Sequence, residues 1–172
     1  WDVEEFLQLI PKEKITFTAG ATPFLQDTVQ SPSLIDADLS TFRTFIALGA
    51  PIPRPLVRQA REIVSFNILS GWGQTENGLV TLTKLTDSED KLVNTDGAAF
   101  KEMAVKVVDS NFDELPPNVE GNLLCKGPAL FVGYLNQLEE TQKEFHESWF
   151  ITGDRAIMDE DGYIRISGRN KD

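Results

Sequence analysis

The texture of the chain changes once, near residue 85, and that change restricts the folds open to it. Before it, helical patterns alternate with short apolar runs. Asp2 and Glu5 form a capping box ahead of a helix with Val3, Phe6, Leu7 and Ile10 on one face. Ile15–Phe17 reads as a buried strand. Thr22-Pro23 reads as the N-cap and first turn of a second helix carrying Phe24, Leu25 and Val29. Thr44–Leu48 is a further strand. Pro51, Pro53 and Pro55 punctuate a loop before a helix with Leu56, Ala60, Ile63 and Val64 inside, and Phe66–Ser70 is the third strand. This βαβ rhythm predicts a parallel sheet with helices packed on it.

After residue 85 the signal becomes short strands and turns. Met103–Asp109 alternates, with Val105 and Val107 on one face, and Asn122–Lys126 is another strand. Between them Asn111–Asn118, with Pro116-Pro117, is a connection. Asp159-Glu160-Asp161-Gly162 is a hairpin turn between Arg155–Met158 and Tyr163–Ser167, and only Leu138–Phe145 looks helical. The expected architecture is α/β plus β. A partial α/β parallel-sheet subdomain occupies residues 1–85, and a small, distorted antiparallel β-barrel occupies residues 86–172. The boundary falls in the polar stretch Thr86–Gly97.

A chain of 172 residues buries a core without metal or disulfide staples. Its formal net charge of −11 opposes binding to nucleic acid or to an anionic membrane surface. The single cysteine, Cys125, rules out an internal disulfide and fits a reducing, cytoplasmic setting. With His146 as the only histidine, a zinc site of Cys and His is also excluded. No apolar run approaches the roughly 18–20 residues of a membrane span. With Trp1 at the start in place of Met, the expectation is an excised piece of a longer chain.

Four segments carry candidate chemistry. Gly71-Trp72-Gly73-Gln74-Thr75-Glu76 follows the strand Phe66–Ser70, at the carboxyl end where open α/β sheets bind ligands. Its glycines permit close approach of a nucleotide, Trp72 offers a flat face, Thr75 a hydroxyl for phosphate, and Glu76 a hard oxygen ligand for Mg²⁺. A tight turn with a buried Trp and a solvated Glu explains the same hexapeptide equally well. A dinucleotide fingerprint fails, because Glu76 stands where the third glycine belongs and Leu79–Lys84 looks extended. Trp149–Asp154 ends on a carboxylate able to accept both hydroxyls of a ribose, although Asp after Gly more often caps a turn. In Gly168–Asp172, Arg169 could bond a ribose or phosphate, or make a surface ion pair of little worth. Gly49-Ala50-Pro51 could wall a flat ligand, or simply turn the chain.

Other features carry less. The Asp159–Gly162 turn lacks calcium ligands at Ile157 and Gly168. His146, in a polar helical stretch, reads as a surface residue, and Cys125 as a small core residue. No Gly-x-x-x-x-Gly-Lys-Ser/Thr phosphate loop is present.

Taken together, in order and spacing, these segments resemble the adenylate-forming superfamily of acyl-CoA synthetases, luciferases and peptide-synthetase adenylation domains. Gly49-Ala50-Pro51 matches its Gly-Gly-Ala-Pro element, and Trp72-Gly73-Gln74-Thr75-Glu76 its aromatic-Gly-x-Thr-Glu motif. Glu120–Leu123 with Gly127 and Gly133-Tyr134 matches the Gly-Glu-Leu…Gly…Gly-Tyr stretch. Trp149–Asp154 matches Trp-x-x-Thr-Gly-Asp, and Gly168–Asp172 matches Gly-Arg-x-Lys-Asp. Thr16–Leu25 and Thr95–Val108 are most similar to short- or medium-chain acyl-CoA and cyclohexanecarboxylate-CoA ligases.

The resemblance implies a two-step reaction. A small carboxylic acid is activated by ATP to an acyl-adenylate, and coenzyme A then displaces AMP. It implies nucleotide binding by Gly49, Ala50, Pro51, Gly71, Trp72, Gly73, Gln74, Thr75, Asp154 and Arg169. Trp72 would flank adenine, Thr75 hold the α-phosphate, Glu76 hold Mg²⁺, and Asp154 take the ribose hydroxyls with Arg169 assisting. Thr75 and Glu76 are thus the catalytic candidates. The acyl pocket would draw on Thr22, Phe24, Leu25, Gly49 and Gly73, and Asp172 would be the hinge to a small C-terminal domain. The chain departs from the pattern at Leu48, for the first Gly of Gly-Gly-Ala-Pro, at Trp72, for Tyr, and at Asn122, for Glu.

On this resemblance the phosphate loop lies upstream of the chain and the C-terminal domain, with its lysine, lies beyond Asp172. Two other readings compete: a non-catalytic nucleotide-binding domain of the same fold, and a peptide-synthetase adenylation domain. The expectation is that the 172-residue chain alone forms no thioester. Detection of acyl-CoA after incubating the purified chain with acid, ATP and coenzyme A would overturn it.

Overall fold

Helix α1, Val3–Glu13, begins where Asp2 Oδ1 accepts from the backbone N–H groups of Glu4 and Glu5 at 2.9 and 3.1 Å. It buries Phe6, Leu7 and Ile10. The structure, a computed structural model, describes residues 1–170. The expected hinge residue, Asp172, lies outside the described residues.

The chain forms two units that interleave in sequence: Trp1–Gly71 with Thr83–Asn94, and Trp72–Leu82 with the residues from Thr95 onward. In the first unit, strands β1 (Phe17–Gly20), β2 (Thr44–Ala47) and the first half of β3 (Asn67–Gln74) run parallel. Gly20, Ala47 and Ser70 stand in one register row at their carboxyl ends. The connections are α2 (Thr22–Gln30), a 3₁₀ turn at Pro32–Asp36, and α3 (Arg54–Ile63). Ile10, Leu25, Phe45, Val57 and Ile68 fill the core. Phe6, Phe42 and Phe66 join it edge to face, with centroids 5.8 and 4.8 Å apart.

The second unit holds the end of β3, then β4 (Gly78–Leu82), β5 (Ala98–Ala99), β6 (Ala104–Val108) and β7 (Glu120–Lys126). These are followed by α5 (Leu138–Lys143), β8 (Phe145–His146), β9 (Trp149–Met158) and β10 (Ile164–Arg169). A curled antiparallel sheet runs β10-β9-β7-β6, with β8 also on β9, and β4 pairs with β5. Val80, Val107, Leu123, Phe150, Ala156 and Ile164 form its core. The expected α/β layer and antiparallel barrel-like sheet are both present. Among the described residues, no helix is long and apolar enough to cross a membrane.

Several elements differ from the sequence expectation. The strand predicted at Ile15–Phe17 starts at Phe17, because Lys14 caps α1 in the left-handed region and Ile15 N–H donates back to Ile10 C=O at 2.9 Å. Ala21, not Thr22, occupies the N-cap of α2. The polar stretch after residue 85 contains an extra helix, α4 (Glu89–Asn94), which buries Leu92 and Val93. A bidentate pair from Arg61 to Glu89, at 3.0 and 2.6 Å, fastens it and holds the Glu89 carboxyl below its ordinary range. The helix predicted to Phe145 stops at Lys143, because Phe145 turns to pair with Phe150 in the sheet. His146 therefore lies on a strand, its ring stacked on Phe112 with centroids 4.0 Å apart. The turn at Asp159–Gly162 forms as expected, with Asp159 Oδ1 accepting from Asp161 and Tyr163 N–H.

Phe45 is fully enclosed in the first core. Phe45→Ala should cost about 3–5 kcal/mol, a large aromatic lost with incomplete collapse of the cavity. Chemical denaturation of the chain and its variant checks this.

Candidate functional site

The hexapeptide after residue 70 is not a loop. Strand β3 continues through Trp72 to Gln74, and Thr75–Asn77 form the turn of a tight hairpin into β4. Asn77 Oδ1 accepts from Gln74 N–H at 2.6 Å, and Gly78 follows with φ +61°. Asn-Gly between two strands is a strong hairpin signal that was available in the sequence. Gly73 is required by close approach, since a Cβ there would fall 1.9 Å from Gly78 C=O.

Asp154 is likewise inside a strand. Along β9 the inward residues are Phe150, Thr152, Asp154 and Ala156, so the carboxylate occupies a core-facing position. The β9 partners jump from Ile151 to Arg155 while β7 advances only from Leu124 to Asn122, which marks a bulge over Thr152–Asp154. Gly153 takes φ +74° within it. Thr152 Oγ1 donates to Leu123 C=O at 2.7 Å and accepts from Asp154 N–H, repairing the interrupted ladder.

This bulge delivers Asp154 to three donors. Trp72 Nε1 and Gln74 Nε2 donate to Oδ2 at 2.7 and 2.8 Å, and Arg169 Nε pairs with Oδ1 at 2.9 Å. Gln74 Nε2 also donates to Thr152 C=O at 2.9 Å. Arg169 faces Asp154 because a second irregularity, at Ser167 on β10, puts them in register. Thus four sequence candidates, Trp72, Gln74, Asp154 and Arg169, meet in the second unit.

At the hairpin turn Thr75 is exposed and Glu76 is half-buried. Glu76 Oε1 accepts from Tyr134 Oη at 2.9 Å, and Glu76 C=O accepts from Phe131 N–H at 2.7 Å. Burial, then the hydrogen bond to Glu76 and its charge, push the Tyr134 phenol up to about 12, so it remains a donor at neutral pH. Tyr134 was visible only as a motif residue, and nothing local in the sequence links it to Glu76 across 58 positions. Asn122, the departure from the familiar Glu, accepts from Asn170 Nδ2 at 2.8 Å and so ties β7 to the end of β10.

The remaining candidates lie in the first unit. Gly49 and Pro51 are exposed and Ala50 half-buried beyond β2, while Gly71 is buried on β3. Leu25 belongs to the core, and the Phe24 ring stacks on Trp1 with centroids 4.5 Å apart. Thr22 Oγ1 and Ser70 Oγ are enclosed without a hydrogen-bond partner. An unpaired buried hydroxyl costs about 1–3 kcal/mol, which any hydrogen-bonding ligand atom or water relieves.

The family described as AMP-binding enzyme matches residues 1–135. A medium-chain fatty-acid–CoA ligase of Escherichia coli (strain K12) is 36% identical over 167 residues, covering 96% of this chain and 29% of that protein. A mitochondrial medium-chain acyl-CoA ligase of Danio rerio is 32% identical over 176 residues, covering 100% of this chain and 29% of that protein. The chain therefore spans less than a third of the length of these relatives. Among solved structures, ATP-bound MatB from Rhodopseudomonas palustris matches with a TM-score of 0.89 at 30% identity, over 100% of this chain and 34% of that one.

Cys125 is enclosed in the second core, where burial pushes its thiol up to about 11 against a lowering hydrogen bond from Asn77. It should therefore resist a thiol-specific reagent at pH 8 in the folded chain and react fully in denaturant. Rapid native labelling would contradict the burial.

Proposed function

The chain belongs to the AMP-binding enzyme family, and on that premise we propose that the protein carrying it is an AMP-forming acyl-CoA ligase for a medium-chain carboxylic acid. The observation that carries this reading is the convergence of Trp72, Gln74 and Arg169 on the carboxylate of Asp154. A scaffold has no need of an inward charge so equipped, whereas a nucleotide-binding enzyme needs a fixed acceptor for ribose hydroxyls. The names of the relatives point to the medium-chain class of acid.

The substrate carboxylate attacks the α-phosphorus of ATP, pyrophosphate leaves, and the thiol of coenzyme A then displaces AMP from the acyl-adenylate. Asp154 orients the ribose and Trp72, beside Gly73, flanks the adenine; Gly49, Ala50, Pro51 and Gly71 of the first unit are further candidates for nucleotide contact. The exposed hydroxyl of Thr75 donates to the α-phosphate at the hairpin tip. Thr22, Phe24 and Gly49 in the first unit, and Gly73 in the second, are the candidates for acyl contact, whereas Leu25 is fully enclosed in the core. Mg²⁺ is commonly held by one or two carboxylates plus substrate phosphates. Glu76, half-buried and oriented by Tyr134, fits the single-carboxylate version of that role. When bound, the ion neutralises charge on the phosphates. A cytoplasmic setting suits the lone buried thiol of Cys125.

The test is ATP–pyrophosphate exchange by the full-length protein across short, medium, alicyclic and aromatic acids. Exchange should depend on added acid and peak in the medium-chain range. Glu76→Ala should lower it by roughly 10²–10³, the scale of losing one preorganised electrostatic group. An unchanged rate removes Glu76 from the metal role. No exchange with any acid, from a folded protein that still binds ATP, replaces the ligase reading with a non-catalytic one.

A further inference from the structure

The hydrogen bonds around Asp154 divide into two kinds. Those from Trp72 and Gln74 both end on Oδ2, and the Trp72 and Asp154 residues are only 7% and 5% exposed. The third comes from Arg169, whose side chain is 57% exposed, and ends on Oδ1. The indole of Trp72 has one polar hydrogen and spends it on Asp154. The amide of Gln74 has two and spends them on Asp154 and on Thr152 C=O. Neither side chain has a donor left for a nucleotide. A carboxylate offers about four lone-pair positions, so the two inner donors fill Oδ2 and leave Oδ1 as the recognition edge. One position on Oδ1 is held by Arg169, the partner best placed to exchange.

We propose that Trp72 and Gln74 are positioning residues. They hold Asp154 from behind, so that Oδ1 faces the adjacent hydroxyl pair of the ATP ribose, and Arg169 yields its place on that oxygen when the second hydroxyl arrives. This rests on the reading of Asp154 as the ribose acceptor. Trp72 thereby serves two ends with one ring, its face for the base and its N–H for the sugar clamp. Gln74 acts only through Asp154.

The consequence is read in sugar discrimination. In the full-length protein, kcat/KM is compared for ATP, 2′-deoxy-ATP and 3′-deoxy-ATP. Trp72→Phe keeps an aromatic face but loses the N–H, and Gln74→Met keeps the length but loses both donors. Each should reduce the preference for ATP over the deoxynucleotides by roughly 10- to 150-fold, the scale of one charge-assisted hydrogen bond. Gln74→Glu, which offers no donor when ionised, should not restore it. A merely structural defect lowers all three nucleotides together and leaves the ratio intact, which would overturn the proposal. Asp154→Asn separates the two failures. If it abolishes discrimination while Trp72→Phe and Gln74→Met keep it, the positioning role is wrong and the ribose reading stands. If Asp154→Asn also leaves discrimination intact, the ribose reading falls and the proposal with it. Should Trp72→Phe fail to fold, Gln74→Met alone decides.

Discussion

An ionised carboxylate taken out of water costs several kcal/mol unless hydrogen bonds replace its hydration. Asp154 is such a group, set in the same inward row as Phe150 and Ala156. The second unit is built around meeting that demand. Strand β3 runs past the parallel sheet so that Trp72 and Gln74 reach it, β9 bulges to present it, and β10 slips by one residue so that Arg169 closes on it. Removing any one donor would leave part of the charge unpaired, so these irregularities depend on one another. They are where regular pairing gives way to the demands of one buried carboxylate.

The glycine-rich hexapeptide shows the same economy. A β-hairpin usually needs side chains on both strands to hold its register. Here the hairpin is pinned instead by backbone proximity at Gly73, by the Asn77 side chain on Gln74 N–H, and by Phe131 N–H on Glu76 C=O. The rigid tip carries Thr75 and Glu76 without enclosing them. Glu76 is thereby oriented from outside the hairpin, by Tyr134.

The elements legible in the sequence were those whose cause is local. The amphipathic face of α1, the parallel rhythm of β1 to β3 and the Asp-Gly turn before β10 all follow from periodicity or turn chemistry. The motif residues were legible as a set, but their geometry was not. The bulge at Thr152–Asp154 exists only against Leu123 on β7, and Gln74 finds its partner 80 residues away. Helix α4 has only two buried apolar residues and is fastened by Arg61, 28 residues earlier. Phe145 leaves a plausible helix because the aromatic cluster with Phe131 and Phe150 outweighs a solvated helical turn. Asn77-Gly78 signals the β3–β4 hairpin from the sequence itself, and that hairpin carries the strand predicted to end at Ser70 on to Gln74.

The interleaving of the two units bears on synthesis. Trp72 emerges from the ribosome 82 residues before the Asp154 carboxylate to which it donates. At about 5–20 residues per second that is a wait of roughly 4–16 s. For most of it Trp72 and Val80 lack β7, and for nearly all of it they lack β9, although the parallel strands β1, β2 and the first half of β3 have all been made. The residues of the first unit are thus complete well before those of the second. In that interval the apolar side chains of this hairpin are more open to misassembly than in the folded chain.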